Sequence, residues 1–364
     1  MQAFRFGIVS DPHIALPQTI APGVLRFHQV EISISALEQA LEHLQRSNLD
    51  FLLIPGDLTQ DGEPENHAWL SARLARLPFP CYVIPGNHDV PYPQTRTNGI
   101  GLGDFGAYYQ RQGYDQTDSL DYSRELAPGV RLIALNSNSF NRKGEQVGSL
   151  TQSQLRWLEE ELERRQREFI ITMIHHNVVE HLPGQSRHEL GRRYMLSNAR
   201  RLRHLLRRYG VKLILTGHLH VQDIAYQGGL YEITTGSLVS YPHPYRIVDC
   251  EPQGEGWNLK IQSHRVERLA DYPDLAHQSR QFLAERSHSF MMRLLTAPPL
   301  NLPPQSAEPL AKNLRYFWAD VAAGDAQFHF PHFPAPAQRF LHQFNQFHHP
   351  AHLVFSDNDT QLAL

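Results

Sequence analysis

Cysteine is nearly missing from this chain of 364 residues, which holds only Cys81 and Cys250. Two cysteines cannot build a disulfide framework, and their separation is not that of metal ligands, so they read as packed thiols in a reducing compartment. Long apolar runs are also lacking. Stretches such as Phe51 to Ile54 and Leu213 to Leu215 fall far short of the ~20 residues that cross a bilayer. The start, Met1 to Ser10, alternates like a strand and has no basic segment followed by an apolar one, so no secretory signal is read and a cytoplasmic location is expected. Neither charge dominates: 34 Lys plus Arg against 37 Asp plus Glu leave a formal charge of -3. No global positive field draws the chain to nucleic acid or acidic lipid, and any anion site must be local. What is present is 41% hydrophobic and 20% charged residues, the composition of a folded protein, and 22 histidines.

Short apolar runs recur at Phe4 to Ser10, Phe51 to Pro55, Tyr82 to Pro85, Arg131 to Asn136, Phe169 to Ile174 and Val211 to Thr216. Each ends in a polar or glycine-containing corner and reads as a buried strand. Between several of them lie helical repeats: Ile34, Leu37, Leu41 and Leu44 share one face, as do Leu155, Leu158 and Leu162. Thr151 with Gln154 forms a capping box for the second of these. A further helix is expected over about 192–209, with Met195, Ala199, Leu202 and Leu206 inward and arginines outward. This alternation predicts an α/β layered fold. Beyond residue 221, the runs Val221 to Gln227, Gly229 to Thr234, Tyr245 to Asp249 and Trp257 to Gln262 have glycine turns and no helix between them. They predict a second, more antiparallel sheet, hence a two-sheet sandwich flanked by helices. From about Val266 the chain is rich in Pro, His, Gln and Phe, with helical stretches near 273–295 and 308–322. The division expected is 1–265 as the catalytic domain and 266–364 as a helical extension serving as lid or oligomerisation element.

Five polar clusters stand directly after strands. They are Asp11-Pro12-His13, Gly56-Asp57, Gly86-Asn87-His88-Asp89, His175-His176 and Gly217-His218-Leu219-His220. Open α/β sheets form their ligand crevice at the C-terminal ends of strands, which is where these residues lie. In an extended corner, residues at i and i+2 point the same way, so Asp11 and His13 can grip one ion. Asp11, His13, Asp57, Asn87, His218, His220 and one of His175 and His176 make seven candidate donors of carboxylate, imidazole and amide type. Such a set favours Fe, Mn or Zn over a soft ion and suits two ions sharing a carboxylate. His175 is the preferred member of its pair, because it is the first residue past the strand and adjacent side chains cannot both face the crevice. Paired divalent ions outweigh two carboxylates and attract phosphate. At ~3.5–4 Å apart they can generate a hydroxide near neutral pH and clamp an in-line displacement.

The ordered set of motifs resembles the calcineurin-like metallophosphoesterase family over roughly residues 4–265. The spacing and the segment Asp61 to Pro80 are most similar to its class III branch, the cyclic-nucleotide and glycerophosphodiester phosphodiesterases. The resemblance implies two metal ions, with Asp11, His13 and His220 on the first, Asn87, His175 and His218 on the second, and Asp57 bridging. It implies that His88 meets substrate and protonates the leaving oxygen, with Asp89 orienting it through the other ring nitrogen. At Asn177 this chain departs from the proline common in the family.

The function expected is metal-dependent hydrolysis of small phosphodiesters. The alternatives are a phosphomonoesterase, including a protein phosphatase, a nuclease, or a docking or oligomerisation protein with a regulatory metal centre. Arg192, Arg193, Arg200, Arg201, Arg203, Arg207 and Arg208 could track a nucleic-acid backbone, but no aromatic residues are interleaved for base stacking, so a solvated face is expected. Tyr241, His243, Tyr245 and Arg246 could line the substrate pocket. His329, His332, His342, His348, His349 and His352 lack ligand spacing and read as surface histidines.

Overall fold

The computed structural model describes residues 2–115, 117–345 and 355–364. The chain begins with β1 (Phe4–Ile8), α1 (Ser33–Gln45), β2 (Phe51–Ile54), α2 (Pro64–Leu74), β3 (Cys81–Val83) and a short α3 (Phe105–Tyr108). It continues through β4 (Tyr122–Ala127), β5 (Val130–Leu135), the hairpin β6 (Asn138–Phe140) and β7 (Gln146–Gly148), α4 (Gln152–Arg164), β8 (Phe169–Ile174), α5 (Glu189–Arg192), α6 (Ala199–Arg208) and β9 (Leu213–Thr216). Then come β10 (Asp223–Gln227), β11 (Leu230–Thr234), β12 (Pro244–Gln253) and β13 (Gly256–Arg265). Five helices follow, α7 (Leu275–Arg286), α8 (His288–Thr296), α9 (Pro304–Asn313), α10 (Phe317–Ala323) and α11 (Ala335–His342), and the last element is β14 (Thr360–Ala363).

Among the described residues the strands form two six-stranded sheets, ordered β14-β13-β12-β1-β2-β3 and β10-β11-β9-β8-β5-β4, and the separate two-stranded sheet β6-β7. Parallel pairing of β1 with β2 and β2 with β3, and of β5 with β8 and β8 with β9, places the loops after these strands together at one end of the sandwich. The sheets pack face to face. Alternation along β5 sends Leu132 and Ala134 into the core between them, while Ile133 and Leu135 face the helices α4 and α6. β8 does the same with Ile171 and Met173 inward and Ile170 and Ile174 outward. This double burial is why these runs read as continuously apolar. The α4 capping box forms as expected, with Thr151 Oγ1 accepting from Gln154 N at 3.2 Å and Gln154 Oε1 accepting from Thr151 N at 2.7 Å.

Three expectations change. The helix over 192–209 starts only at Ala199, as α6, because Asn177 takes the backbone of 194–196 as a strand partner: Asn177 N donates to Tyr194 O and Leu196 N to Asn177 O. The four inward residues are nevertheless buried, and six of the seven arginines are exposed, Arg203 being half-buried. The late strands do not make a sheet of their own. β10 and β11 extend the second sheet through a parallel pairing of β11 with β9, and β12 and β13 extend the first through an antiparallel pairing of β12 with β1. Each late pair completes an edge left open by β1 to β9. Finally, α2, α3, β4, β6, β7, α11 and β14 lie where the sequence predicts no element.

The helices α8 to α11 bury their own apolar cluster, into which Leu219 and Val221 of the sandwich also insert. The chain then returns, and β14 pairs antiparallel with β13 from Ile261↔Thr360 to Asn258↔Ala363. His329, His332 and His342 are exposed, as expected of surface histidines, and His348, His349 and His352 lie outside the described residues. Among the described residues no helix is long and apolar enough to cross a membrane.

Candidate metal centre

All five strand-end clusters meet at the end of the sandwich where the parallel strands finish. One donor atom each from Asp11, His13, Asp57 and His220 lies within 4.8 Å of the others, and the same holds for Asp57, His175 and His218. Asp57 belongs to both groups and lies between them. Its Oδ2 is 3.7 Å from His13 Nε2 and 3.4 Å from His175 Nε2. His13 Nε2 is 3.2 Å from His220 Nε2, and His220 Nε2 is 3.4 Å from Asp11 Oδ1. Asn87 Oδ1 is 3.2 Å from His175 Nε2.

Backbone geometry produces this convergence, and it is not the extended corner expected of Asp11 and His13. Asp11, His13, Asp57, His218 and His220 have φ of 48, 41, 49, 67 and 57°, all in the left-handed region. Non-glycine residues seldom adopt it, and where they do the strain concentrates at functional sites. Close approach needs glycine beside them: a Cβ on Gly86 would collide with the Asp57 carboxylate, and one on Gly217 with that of Asp11.

Hydrogen bonds identify the nitrogens facing the cluster. His175 Nδ1 donates to Pro55 O at 2.8 Å, which leaves Nε2 as the ring nitrogen facing Asp57 and Asn87. His218 Nε2 donates to Arg193 O at 3.4 Å, which leaves Nδ1 for the cluster. His176 turns away and pairs its Nδ1 with Ser137 Oγ at 2.7 Å, its ring lying against that of His218. Asp11 Oδ1 accepts from His218 N at 3.0 Å, tying the first and last motifs.

The electrostatics suit cations. Burial, with neighbouring histidines, pushes the pKa of His13 and His218 well below the ordinary value, so both are neutral, the form that ligates metal. Burial opposes charge on His175 as well, but Asp57 pulls its pKa up to about 9. Burial also opposes charge on Asp57, yet His175 and the other histidines hold its carboxyl well below the usual range. Two buried carboxylates, four imidazoles and an amide oxygen, with no thiolate, thus fit a pair of divalent cations and not a soft one. Both cysteines are buried free thiols away from the cluster.

His88 stands at the edge, half-buried. Its Nδ1 donates to Gln60 O at 2.6 Å and lies 3.9 Å from Asp61 Oδ1. The expectation that Asp89 orients this ring is corrected. The Asp89 carboxylate is taken up by Leu58 N, Thr59 N, Thr59 Oγ1 and Gly86 N at 2.8–3.0 Å, so it clamps the loops after β2 and β3 together. Burial and the nearby Asp57 charge push its pKa up to about 7. A buried carboxyl one residue from His88 satisfies the nearest main-chain donors first, because they cannot turn away.

His28 joins the site without having been anticipated. Its ring stacks on His13 with centroids 4.4 Å apart, and its Nε2 pairs with Gln60 Oε1 at 2.8 Å. It also groups with His13 and His220 as a possible ligand set. It comes from the loop between β1 and α1 and follows no strand, so no motif marked it among 22 histidines. Of the loop residues considered for the pocket wall, Tyr241 alone lines the cleft next to the cluster. His243, Tyr245 and Arg246 are buried, donating to or paired with Leu238 O, His43 Nδ1 and Asp357 O respectively.

Comparison with known proteins agrees with this geometry. Residues 4–222 match the model of the calcineurin-like phosphoesterase family. A probable glycerophosphodiester phosphodiesterase of Arcobacter nitrofigilis is 30% identical over 219 residues, 58% of this chain and 70% of that protein. The 3',5'-cyclic adenosine monophosphate phosphodiesterase of Escherichia coli K12 is 24% identical over 258 residues, 68% of this chain and 85% of that one. Among solved structures, a dimetal phosphatase from Danio rerio superposes with a TM-score of 0.54 at 16% identity, covering 72% of this chain and 96% of that chain, which shows a shared fold. The family match spans the first four strand-end motifs and the His218-His220 pair, and the chain belongs to the calcineurin-like phosphoesterase family.

Proposed function

We propose that this chain is a binuclear metal-dependent phosphodiesterase acting on small diesters of the glycerophosphodiester or cyclic-nucleotide type. The observation that carries the reading is the convergence of Asp11, His13, Asp57 and His220 within 4.8 Å, with His175 and His218 grouped on the other side of Asp57. In this assignment Asp11, His13 and His220 hold one ion, Asn87, His175 and His218 the other, and Asp57 bridges. The ions are Fe, Mn or Zn, whose charge would neutralise a phosphate diester and acidify a bound water. The names of the relatives support the diester class. We place the enzyme in the cytoplasm, a reading supported by the two buried free thiols. Residues 1–265 form the catalytic domain in this reading, with 266–364 as its helical extension.

His88 is the proton donor. Its Nδ1–H is fixed on the Gln60 carbonyl, which leaves Nε2 to carry a proton to the departing alkoxide, and Asp61 supplies a counter-charge when the ring is protonated. Asp89, by holding the loops after β2 and β3 in register, keeps Asp57 and His88 in place: His88 N donates to Asp57 Oδ1 at 2.9 Å. The test is hydrolysis of bis(p-nitrophenyl) phosphate by the metal-loaded protein. Asp57→Ala and a chelator should each lower the rate at least ~100-fold. Rates that neither treatment changes would refute the reading, and faster turnover of a monoester or of single-stranded DNA than of a diester would move it to the corresponding alternative.

A further inference from the structure

The cleft that opens from the metal centre is far larger than the proposed small diesters require. It measures about 1490 Å³, against the roughly 300–1,000 Å³ of ordinary ligand pockets. One end is lined by Asp57, Asn87, His88, His218 and His220. The other is walled by Leu182 of the sandwich and by Phe290, Leu294, Trp318 and Phe344 of the helical extension, with the Arg293 and Glu189 side chains, 3.9 Å apart, also lining the cleft. Tyr194 joins the two ends. Its ring lies 5.0 Å from that of His218, and it packs against the apolar cluster of the extension. Phe290 and Trp318, edge to face at 4.9 Å, are half-buried and have unspent apolar surface.

The rim has the same character. Among the described residues, the exposed large hydrophobic side chains are Val24, Leu25, Phe27 and Val147, and all four line this cleft. Isolated surface apolar residues are commonplace, but their confinement to the mouth of one cleft marks a binding surface. A folded partner would cover the rim without filling the space between sandwich and extension, whereas a flexible chain fills both.

We infer that the substrate is an amphiphile: a glycerophosphodiester bearing one long alkyl or acyl chain, its phosphate at the metal centre and its chain along the apolar wall. This rests on the phosphodiesterase reading and narrows it. In the step, a water oxygen forms a new bond to phosphorus as the bond from phosphorus to one ester oxygen breaks. The departing alkoxide takes a proton from His88, and the proton lost by water passes to solvent. The products are a phosphomonoester and an alcohol, with no change of oxidation state.

The experiment uses the full metal-loaded chain and p-nitrophenyl alkyl phosphates from methyl to dodecyl, each below its micelle concentration. Buried methylenes are worth up to about fourfold each in affinity, so kcat/KM should climb by orders of magnitude along the series. A flat series would overturn the inference. Leu25→Asp on the exposed rim, where folding is not at stake, and Trp318→Ala on the wall should each compress the dodecyl-to-methyl ratio about tenfold; an uncompressed ratio in both counts against it. Binding separates the two readings. Dodecylphosphocholine, followed by tryptophan fluorescence, should bind far more tightly than glycerophosphocholine. If that holds while no member of the series is hydrolysed, the chain site stands and the phosphodiesterase assignment fails. If all members are hydrolysed equally and the two ligands bind alike, the assignment stands and the chain site fails.

Discussion

His88 and His28 flank the same Gln60, one on its carbonyl and one on its side chain, so two imidazoles at the edge of the cluster are aligned by one buried residue. Their roles separate by what each faces. His28 stacks on His13 and shares a possible ligand set, whereas among the described residues His88 belongs to none of the groups that could hold an ion. His88→Ala is therefore expected to keep its full metal content and lose about 10²–10⁴ in kcat. The loss should be greatest for diesters with alkoxide leaving groups and least for p-nitrophenolate, which needs no proton. Metal analysis alongside a leaving-group series checks this, and metal lost on substitution would make His88 a ligand. At this scale the donor types and their positions after strands were legible in the chain. The use of Asp89 as a loop clamp was not, since it depends on main-chain donors brought in from Leu58 and Thr59.

Single elements carry the pH response. His67 of α2 pairs with Tyr109 Oη at 2.9 Å and Thr59 Oγ1 at 3.2 Å, and burial pushes its pKa down to about 3. His243, in the turn before β12, is pushed down by burial to about 4. The unfolded value is about 6.5, so protons bind the unfolded chain preferentially below that pH. Stability from these histidines is complete above pH ~6.5 and is lost as pH falls toward their folded values, by up to about 1.4 kcal/mol per unit each. Asp89 and Asp121, which burial raises to about 7 and about 6, act in the opposite sense between their unfolded value and those pH values. A difference measurement isolates the histidine. The stability gap between wild type and His67→Gln, from urea unfolding, should shrink steadily from pH 7 to pH 4; a gap independent of pH would refute the neutral, buried assignment.

For the whole molecule, the decisive contact joins the sandwich to the returning C-terminal segment. Arg246 of β12 is fully buried, and it donates to Asp357 O at 2.6 Å, to Ser263 Oγ at 3.0 Å and to Thr234 O at 3.2 Å. Burial lowers its pKa to about 10, with Asp357, Asp223 and Asp325 opposing, so it stays charged at neutral pH. One side chain thus fastens both sheets to the returning C-terminal segment. Arg246→Met should cost about 3 kcal/mol or more by leaving these acceptors unpaired. It should also release residues 355–364 to limited proteolysis well before the sandwich unfolds. Coincident loss of both, or no loss, would contradict this fastening role.

Local chemistry determined a great deal. Apolar runs doubly buried between sheet and helix, the Thr151–Gln154 capping box, and polar residues at strand ends depend on near neighbours in the chain. They therefore named the α/β layers and the donor residues directly. Only the tertiary structure decided which sheet each late strand joins, because edge pairing depends on which edges remain open once β1 to β9 have assembled. It alone brought His28 and Gln60 to the centre and laid the helical extension beside the metal site as an apolar wall. Such long-range placements arise from packing between surfaces that no local spacing encodes.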